Sequence, residues 1–209
     1  MNAKTLLIAA FLLLLVSPLS ATQVTKVEET WELVVTDPSV IRNAPQVTMV
    51  MSPLAHTQSD FFIFTLNHKA EPVYVAGGMQ VCRYHGESLA AHQNGPKNGA
   101  IHVPMETISW TQTMALDAGT ITFEVSDGNS GSWGEFGGQG YLKSSVAAPP
   151  GGLDGYQPKI STGESEIGFA GNRVTSLTLK TVKWTLSDGS TFTLTAPFDI
   201  NAHYDPTAD

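Results

Sequence analysis

A glycine-rich, aromatic segment from Trp133 to Tyr141 carries the residue types best suited to binding a ligand. Aromatic rings stack on the apolar C–H faces of sugars, while carboxylate and amide groups hydrogen-bond the sugar hydroxyls. The glycines let a ligand approach the backbone closely. The candidate ligand-binding residues are Trp133, Glu135, Phe136, Gln139, Tyr141 and, further along the chain, Tyr156. The alternative interpretation is that Trp133 and Phe136 fold inward as a hydrophobic plug.

The preceding segment, from Asp127 to Gly131, has oxygen-bearing side chains at alternate positions, as at the start of a calcium-binding loop. Asp127 and Asn129 are therefore candidate ligands of Ca²⁺, the one cofactor that the sequence suggests. The bidentate glutamate expected further along such a loop is missing, because that position is Gly138 and Glu135 is misplaced. The same residue types also favour a simple turn.

An enzyme is the competing hypothesis. Glu135, Glu164 and Glu166 supply carboxylates for a polysaccharide hydrolase or lyase. A hydrolase of this kind needs two carboxylates roughly 5–9 Å apart in one cleft. The sequence shows no Ser-His-Asp order and no nucleophile motif, so it names no catalytic residue.

The histidines and the single cysteine have structural interpretations. His85, His92 and His102 do not have the spacing of a zinc or cupin site, which favours solvent-exposed loop residues. Cys82 lies in a strand-like run, which favours a buried thiol. Because it is the chain's one cysteine, no disulfide forms within the chain.

Alternation of apolar and polar residues runs through almost the whole chain and indicates β-strands. Strands are predicted at Glu29–Thr36, Gln46–Met51, Asp60–Leu66, Val73–Tyr84, Ile101–Val103, Thr107–Met114, Thr120–Ser126, Tyr141–Val146, Val174–Leu186 and Thr191–Thr195. Asp188-Gly189 between the last two runs predicts a β-hairpin that brings Trp184 near Phe192. One helical turn is predicted at Glu87–His92.

This pattern predicts an all-β fold: a single antiparallel two-sheet β-sandwich, of jelly-roll or concanavalin A-like type, spanning residues 22–209. Trp31, Trp110 and Trp184 are expected to be largely buried in it. The long connection Ala147–Gly171 predicts either a functional loop or a crossover that wraps the domain.

Three motifs carry a resemblance to a known group. They are Gly119-x-Ile121-x-Phe123-x-Val125, Trp133-Gly134-x-Phe136-Gly137 and Gly168-Phe169-Ala170-Gly171-Asn172-Arg173-Val174. Together they resemble an uncharacterised group of secreted bacterial β-sandwich proteins. The strand rhythm is also similar to that of concanavalin A-like and jelly-roll domains. Neither resemblance implies a catalytic residue.

The first 21 residues are interpreted as a cleaved signal peptide. Lys4 precedes the unbroken apolar run Leu6–Val16, and Ala21 is suited to the cleavage site. The run is short for a membrane span, which needs roughly 20 residues. The mature protein is expected to begin near Thr22 and to be secreted, either extracellular or periplasmic, without stable membrane insertion. The alternative is an uncleaved N-terminal anchor.

Composition narrows the choice of partners. The net charge of −8 argues against nucleic acid, which binds to basic surfaces. Only 14% of the residues are charged, so a disordered acidic protein is excluded. The hypothesis that follows is a secreted, non-catalytic, lectin-like binding module for a glycan or another surface ligand. The polysaccharide-active enzyme and a structural cell-surface or matrix protein are the alternatives.

Overall fold

Strands with one apolar face build two antiparallel sheets, which pack against each other and confirm the predicted all-β sandwich. The computed structural model describes residues 22–36, 44–67, 78–96, 99–160, 163–168 and 170–200. The predicted signal peptide, residues 1–21, lies outside the described residues. Within the described residues there is no α-helix, and thus no helix long and apolar enough to cross a membrane.

The larger sheet has eight strands, numbered here in chain order. Six follow one another across the sheet in the order β12 (Thr191–Leu194), β11 (Val174–Leu186), β1 (Val24–Val35), β6 (Thr107–Asp117), β7 (Thr120–Ser130) and β8 (Gly134–Phe136). The remaining two are β13 (Phe198–Asp199), which pairs with β11, and β9 (Lys143–Ala147), which pairs with β7.

The smaller sheet has five strands. Their order is β10 (Glu166–Ile167), β2 (Val47–Met51), β3 (Asp60–Leu66), β4 (Met79–His85) and β5 (Ser88–Asn94). A short 3-10 turn, Gly171–Arg173, leads into β11 of the larger sheet.

Aromatic side chains hold the two sheets together. Trp31 of β1 is paired in register with Trp110 of β6, and their rings stack with centroids 6.4 Å apart. From the smaller sheet, Phe64 meets Trp110 edge-on at 5.9 Å. Phe62 stacks on Phe123 at 5.1 Å. All five side chains are buried, and burying each contributes roughly 1.5–3 kcal/mol to the free energy of folding.

The predicted terminal hairpin is confirmed, with Trp184 directly opposite Phe192. Burial of Trp31 and Trp110 is also confirmed, whereas Trp184 is only partly buried. Trp184 lies on β11, next to the edge strand β12. Its ring stacks on the exposed ring of Phe192 from β12, with centroids 4.6 Å apart, and so it remains partly open to solvent. Burial of Cys82 is confirmed as well.

The predicted helical turn at Glu87–His92 is wrong. That segment forms a tight turn at Gly86 and Glu87 and then strand β5, which pairs with β4. An isolated helical turn gains few hydrogen bonds for the residues it orders, whereas pairing with β4 gives the backbone partners along the whole segment. The first part of the predicted strand Val73–Tyr84 lies outside the described residues.

The long connection after β9 is a crossover that packs on the core. Turns at residues 150–155 bring Leu153 and Tyr156 into the buried cluster. Asp154 accepts a hydrogen bond from the backbone N–H of Val24, at 2.7 Å, and so ties this crossover to the start of β1.

Candidate functional site

Four polar side chains that the sequence analysis singles out lie around one surface pocket, where β7 pairs with the short strand β8. The pocket has a volume of about 510 Å³. Asp127, Asn129, Glu135 and Gln139 supply its polar groups, and all four residues are exposed. The rest of the lining is Gly128, Phe136, Gly137 and Gly138. We call it the β7–β8 pocket.

A β-bulge turns Asp127 toward this pocket. The pairing of β6 with β7 shifts register between Ser109 and Thr111, so that Asp127 and Gly128 together oppose one residue of β6. Asp127 has a left-handed backbone, with φ of 52°. In a regular strand residue 127 would face the core with residues 121, 123 and 125, so the bulge is what exposes its carboxylate. Consequently the backbone of this segment is a bulged strand, where the sequence favours a simple turn.

Strand β8 and the turn after it complete the pocket. Glu135 is directly opposite Asn129, which places the two side chains on the same face of the sheet. Gln139 follows in the turn. The Tyr141 hydroxyl accepts a hydrogen bond from the backbone N–H of Gly137, at 3.0 Å. Tyr141 thus fixes the turn that carries Gln139.

The rings of Trp133 and Phe136 are buried, so they do not form the exposed stacking platform that the sequence analysis proposed. The Trp133 indole N–H donates to the carbonyl of Gly99 at 2.7 Å. Phe136 meets Trp133 edge-on with centroids 6.3 Å apart. The Phe136 ring also packs closely against Gly128, where an added Cβ would be 2.2 Å from the ring. The inward hydrophobic plug is the arrangement observed.

Beneath the pocket, a buried carboxylate holds the turn between β7 and β8. Glu106 is 4% exposed. It accepts hydrogen bonds from the Ser130 hydroxyl at 2.5 Å, the Ser132 hydroxyl at 2.5 Å and the Ser132 backbone N–H at 2.7 Å. The Ser130 oxygen in turn accepts the backbone N–H of Trp133 at 3.1 Å. We call Glu106 and residues 130–133 the Glu106 turn.

Tyr156 lies apart from this pocket, between the sheets. It is 6% exposed, and its hydroxyl donates to Oε1 of Glu29 at 2.5 Å. The indole N–H of Trp31 donates to the other oxygen of Glu29 at 2.8 Å. The buried Tyr156 ring is therefore not available to stack on a sugar. Instead, Tyr156 anchors the crossover to β1 through Glu29.

Glu29 is a buried carboxyl with a strongly raised pKa, and the sequence analysis missed it. It is completely buried, directly opposite the equally buried Gln112 of β6. Burial raises its pKa to about 7, against the lowering effects of the hydrogen bonds from Tyr156 and Trp31 and of the Lys159 charge. The Gln112 amide oxygen and nitrogen have no hydrogen-bond partner. We call Glu29, Trp31, Gln112, Tyr156 and Lys159 the Glu29 cluster.

One signal in the sequence points to Glu29. Val27, Trp31, Leu33 and Val35 mark the core-facing positions of β1, and Glu29 occupies the position between the first two. A carboxylate at a core-facing position requires hydrogen-bond partners or a raised pKa. The period-2 pattern of β1 therefore marks Glu29 as its one charged core-facing member.

The three glutamates of the enzyme hypothesis do not meet. Glu135 lies on β8, at the edge of the larger sheet. Glu166 pairs with Thr48 on the smaller sheet, and Glu164 forms an ion pair with Lys159 at 3.4 Å. The structure therefore does not combine Glu135 with either of the others in one cleft.

His85, His92 and His102 are exposed as predicted, but His85 and His92 lie on strands β4 and β5 and not in a loop. His85 is hydrogen-bonded to Asp60 at 3.1 Å. Among the residues that the structure describes, no group of three His, Cys, Asp or Glu side chains is arranged to hold a metal ion.

Comparison with known families and with curated proteins gives no match: no family model fits the chain, and no curated protein is significantly similar to it.

Proposed function

We propose that this protein is a non-catalytic, lectin-like module that binds a neutral or cationic glycan in the β7–β8 pocket. The observation that carries the proposal is the convergence of two carboxylates and two amides on one pocket, with glycine backbone beside them. The bulge in β7 supports it, because bulges recur where a strand must aim a side chain at a ligand.

The chemistry of these groups fits sugar hydroxyls. The carboxylates of Asp127 and Glu135 accept hydrogen bonds from hydroxyl groups, while the amides of Asn129 and Gln139 both donate and accept. Hydrogen bonds to charged groups are each worth roughly 1.5–3 kcal/mol. Much of this is offset by desolvating exposed groups, so we expect a Kd near millimolar for one sugar unit, about −4 kcal/mol.

The negative charge of the pocket and of the whole protein restricts the class of ligand that can bind. None of the ion pairs found among the described residues involves Asp127 or Glu135. Two unpaired carboxylates in a protein of net charge −8 repel anionic polymers. A neutral or cationic polysaccharide is therefore the expected ligand class.

Export is part of the proposal, since such a module meets its glycan outside the cell. N-terminal sequencing of protein recovered outside the cytoplasm tests it. A start near Thr22 is the expected result, and retention of Met1 in a membrane fraction would contradict it.

Binding is tested with insoluble polysaccharides in pull-downs and with soluble oligosaccharides by titration calorimetry. We expect Glu135→Gln and Asn129→Ala each to weaken binding about tenfold. Glu124→Gln is the matched control, because Glu124 lies on the same strand as Asn129 but outside the pocket. Equal binding by all three variants and wild type would remove the β7–β8 pocket from the proposal.

Two further measurements separate the competing hypotheses. Release of reducing sugar or loss of polymer length would favour the enzyme instead of the binding module. Titration in chelator and then in Ca²⁺ tests Asp127 and Asn129 as metal ligands, since calcium-dependent binding would vanish in chelator.

A further inference from the structure

A partly exposed apolar strip crosses three strands on the outer face of the smaller sheet, in which Phe61 and Tyr84 are half-buried and Leu89 is exposed. Phe61 of β3 is directly opposite Tyr84 of β4, and Tyr84 is opposite Leu89 of β5. The rings of Phe61 and Tyr84 are stacked with nearly parallel planes, 11° apart, and their centroids are 5.4 Å from each other. Leu89 is 53% exposed. These neighbours form a small apolar surface in contact with solvent.

Hydrogen-bonding groups surround two of these rings. A recess of about 540 Å³ is lined by the rings of Phe61 and Tyr84 together with Thr57, Gln58, Gly86 and Glu87. A hydroxyl, an amide and a carboxylate therefore stand at the rim of an aromatic floor. The turn that carries Gly86 is tied to the β2–β3 loop by a hydrogen bond from the Gly86 N–H to the carbonyl of Ser59, at 3.0 Å.

The neighbouring charges are engaged elsewhere. Asp60 accepts hydrogen bonds from Arg83 at 3.0 Å and lies 3.1 Å from the His85 ring nitrogen. Because successive strand residues face opposite sides of a sheet, Asp60 and Arg83 lie on the face away from their neighbours Phe61 and Tyr84. The rings of Phe61 and Tyr84 therefore form the floor of the recess without a charged side chain between them.

We propose that the Phe61–Tyr84 recess is a second glycan site, in which the rings stack on the apolar face of a sugar and Gln58 and Glu87 bind its hydroxyls. This inference rests on the proposed function, glycan binding by the protein. The recess supplies the stacking surface that the buried Trp133 and Phe136 do not.

The size and composition of the recess favour a sugar over a protein partner. A stable protein interface buries about 800 Å² on each side, far more than two rings and one leucine present. An aromatic floor with a few convergent polar groups is typical of small-molecule sites, whose volumes run from about 300 to 1,000 Å³. Two sites of modest affinity on one protein would bind a long polymer by avidity.

Matched ring substitutions test the second site. Phe61→Ala and Tyr84→Ala should each weaken polymer binding at least fivefold, since each removes a stacking ring. Phe192→Ala is the control, because Phe192 is an exposed ring that also stacks on a neighbouring ring, that of Trp184, but lies on the other sheet. Gln58→Ala removes a rim amide from an exposed position and keeps the test valid if a ring variant fails to fold.

The results distinguish this inference from the proposed function. If Glu135→Gln loses binding and the Phe61, Tyr84 and Gln58 variants bind within twofold of wild type, the second site is overturned and the β7–β8 pocket stands. If only the Phe61, Tyr84 and Gln58 variants lose binding, the second site stands and the β7–β8 pocket fails. Absence of binding to every polysaccharide tested would overturn both.

Discussion

Two buried glutamates, Glu106 and Glu29, are held in opposite ways. Glu106 accepts three hydrogen bonds from Ser130 and Ser132, two of them from hydroxyls and one from a backbone N–H. Glu29 accepts two, from Tyr156 and Trp31, and lies opposite an amide without a partner. The first glutamate fixes a turn beneath the β7–β8 pocket, and the second anchors a crossover between the sheets.

The difference shows how the donors around a buried carboxyl decide its role. Short polar donors from one turn fold around Glu106, so the turn and the carboxylate stabilise each other. At Glu29, desolvation by the surrounding core outweighs its donors and the Lys159 charge, and its pKa rises to about 7. Glu106 should therefore act as a structural anchor for its turn, and Glu29 should couple the stability of the fold to pH.

The largest expected effect is at the anchor. Glu106→Ala leaves the buried or partly buried hydroxyls of Ser130 and Ser132 without an acceptor, while the Ser132 N–H keeps only its longer hydrogen bond to Ser130 at 3.1 Å. The substitution should lower the free energy of unfolding by about 4 kcal/mol. It should also abolish binding in the β7–β8 pocket, whose strands the turn connects. Urea unfolding measures the loss. Glu124→Ala is the control on the outer face, and a loss below about 1 kcal/mol for Glu106→Ala would show that the turn holds without its carboxylate.

The next effect is the pH dependence that Glu29 imposes. Its folded-state pKa of about 7 lies above the ordinary glutamate pKa of 4.5, so the folded protein binds a proton more tightly than the unfolded chain. Its contribution to stability is therefore present below pH 4.5 and falls by about 3 kcal/mol as the pH rises through 7. Urea unfolding from pH 4 to 8 measures this decline.

Glu29→Gln is the control for that decline, because an amide cannot lose a proton in this range. The variant should show a flatter profile between pH 4.5 and 7. Glu28 acts in the opposite sense: its partial burial is outweighed by Lys26 and Lys183, which lower its pKa, so its contribution is lost only as the pH falls below 4.5. Equal slopes for wild type and Glu29→Gln would rule out Glu29 as the titrating group.

A smaller effect is expected at Gly128, on the pocket side of the comparison. A methyl group there would collide with the Phe136 ring at 2.2 Å, so Gly128→Ala must displace the ring or shift β8. We expect a loss of about 2 kcal/mol in the free energy of unfolding, as for other overpacked sites. Gly163→Ala is the matched control, because nothing lies within 4 Å of its added Cβ. Similar stability for both variants would mean that Phe136 is loosely held.

The sequence predicts the two-sheet fold well because one-sided burial makes strands alternate, and the Asp188-Gly189 turn fixes the last hairpin. It predicts the polar pocket residues but not their arrangement. The bulge at Asp127 depends on pairing with β6, and the inward turn of Trp133 depends on a distant carbonyl, that of Gly99. Glu29 accepts a hydrogen bond from Tyr156, which is 127 residues away in the sequence. No local sequence pattern predicts a contact over that separation.

The smallest expected effect on stability is at Gln112, which lies directly opposite Glu29. Its buried amide gains no hydrogen bond, so Gln112→Met, which keeps an unbranched side chain of similar length, should raise the free energy of unfolding by about 1 kcal/mol. The control is Gln80→Met on the partly exposed face of β4, where the amide donates to Asn94 at 2.8 Å and the same substitution should lower stability. Combining Gln112→Met with Glu29→Gln in a double-mutant cycle gives the coupling between the two facing side chains. A stabilising Gln112→Met with little coupling would mean that Glu29 depends on Tyr156 and Trp31 alone, whereas a destabilising one would show that Gln112 supports the Glu29 carboxyl.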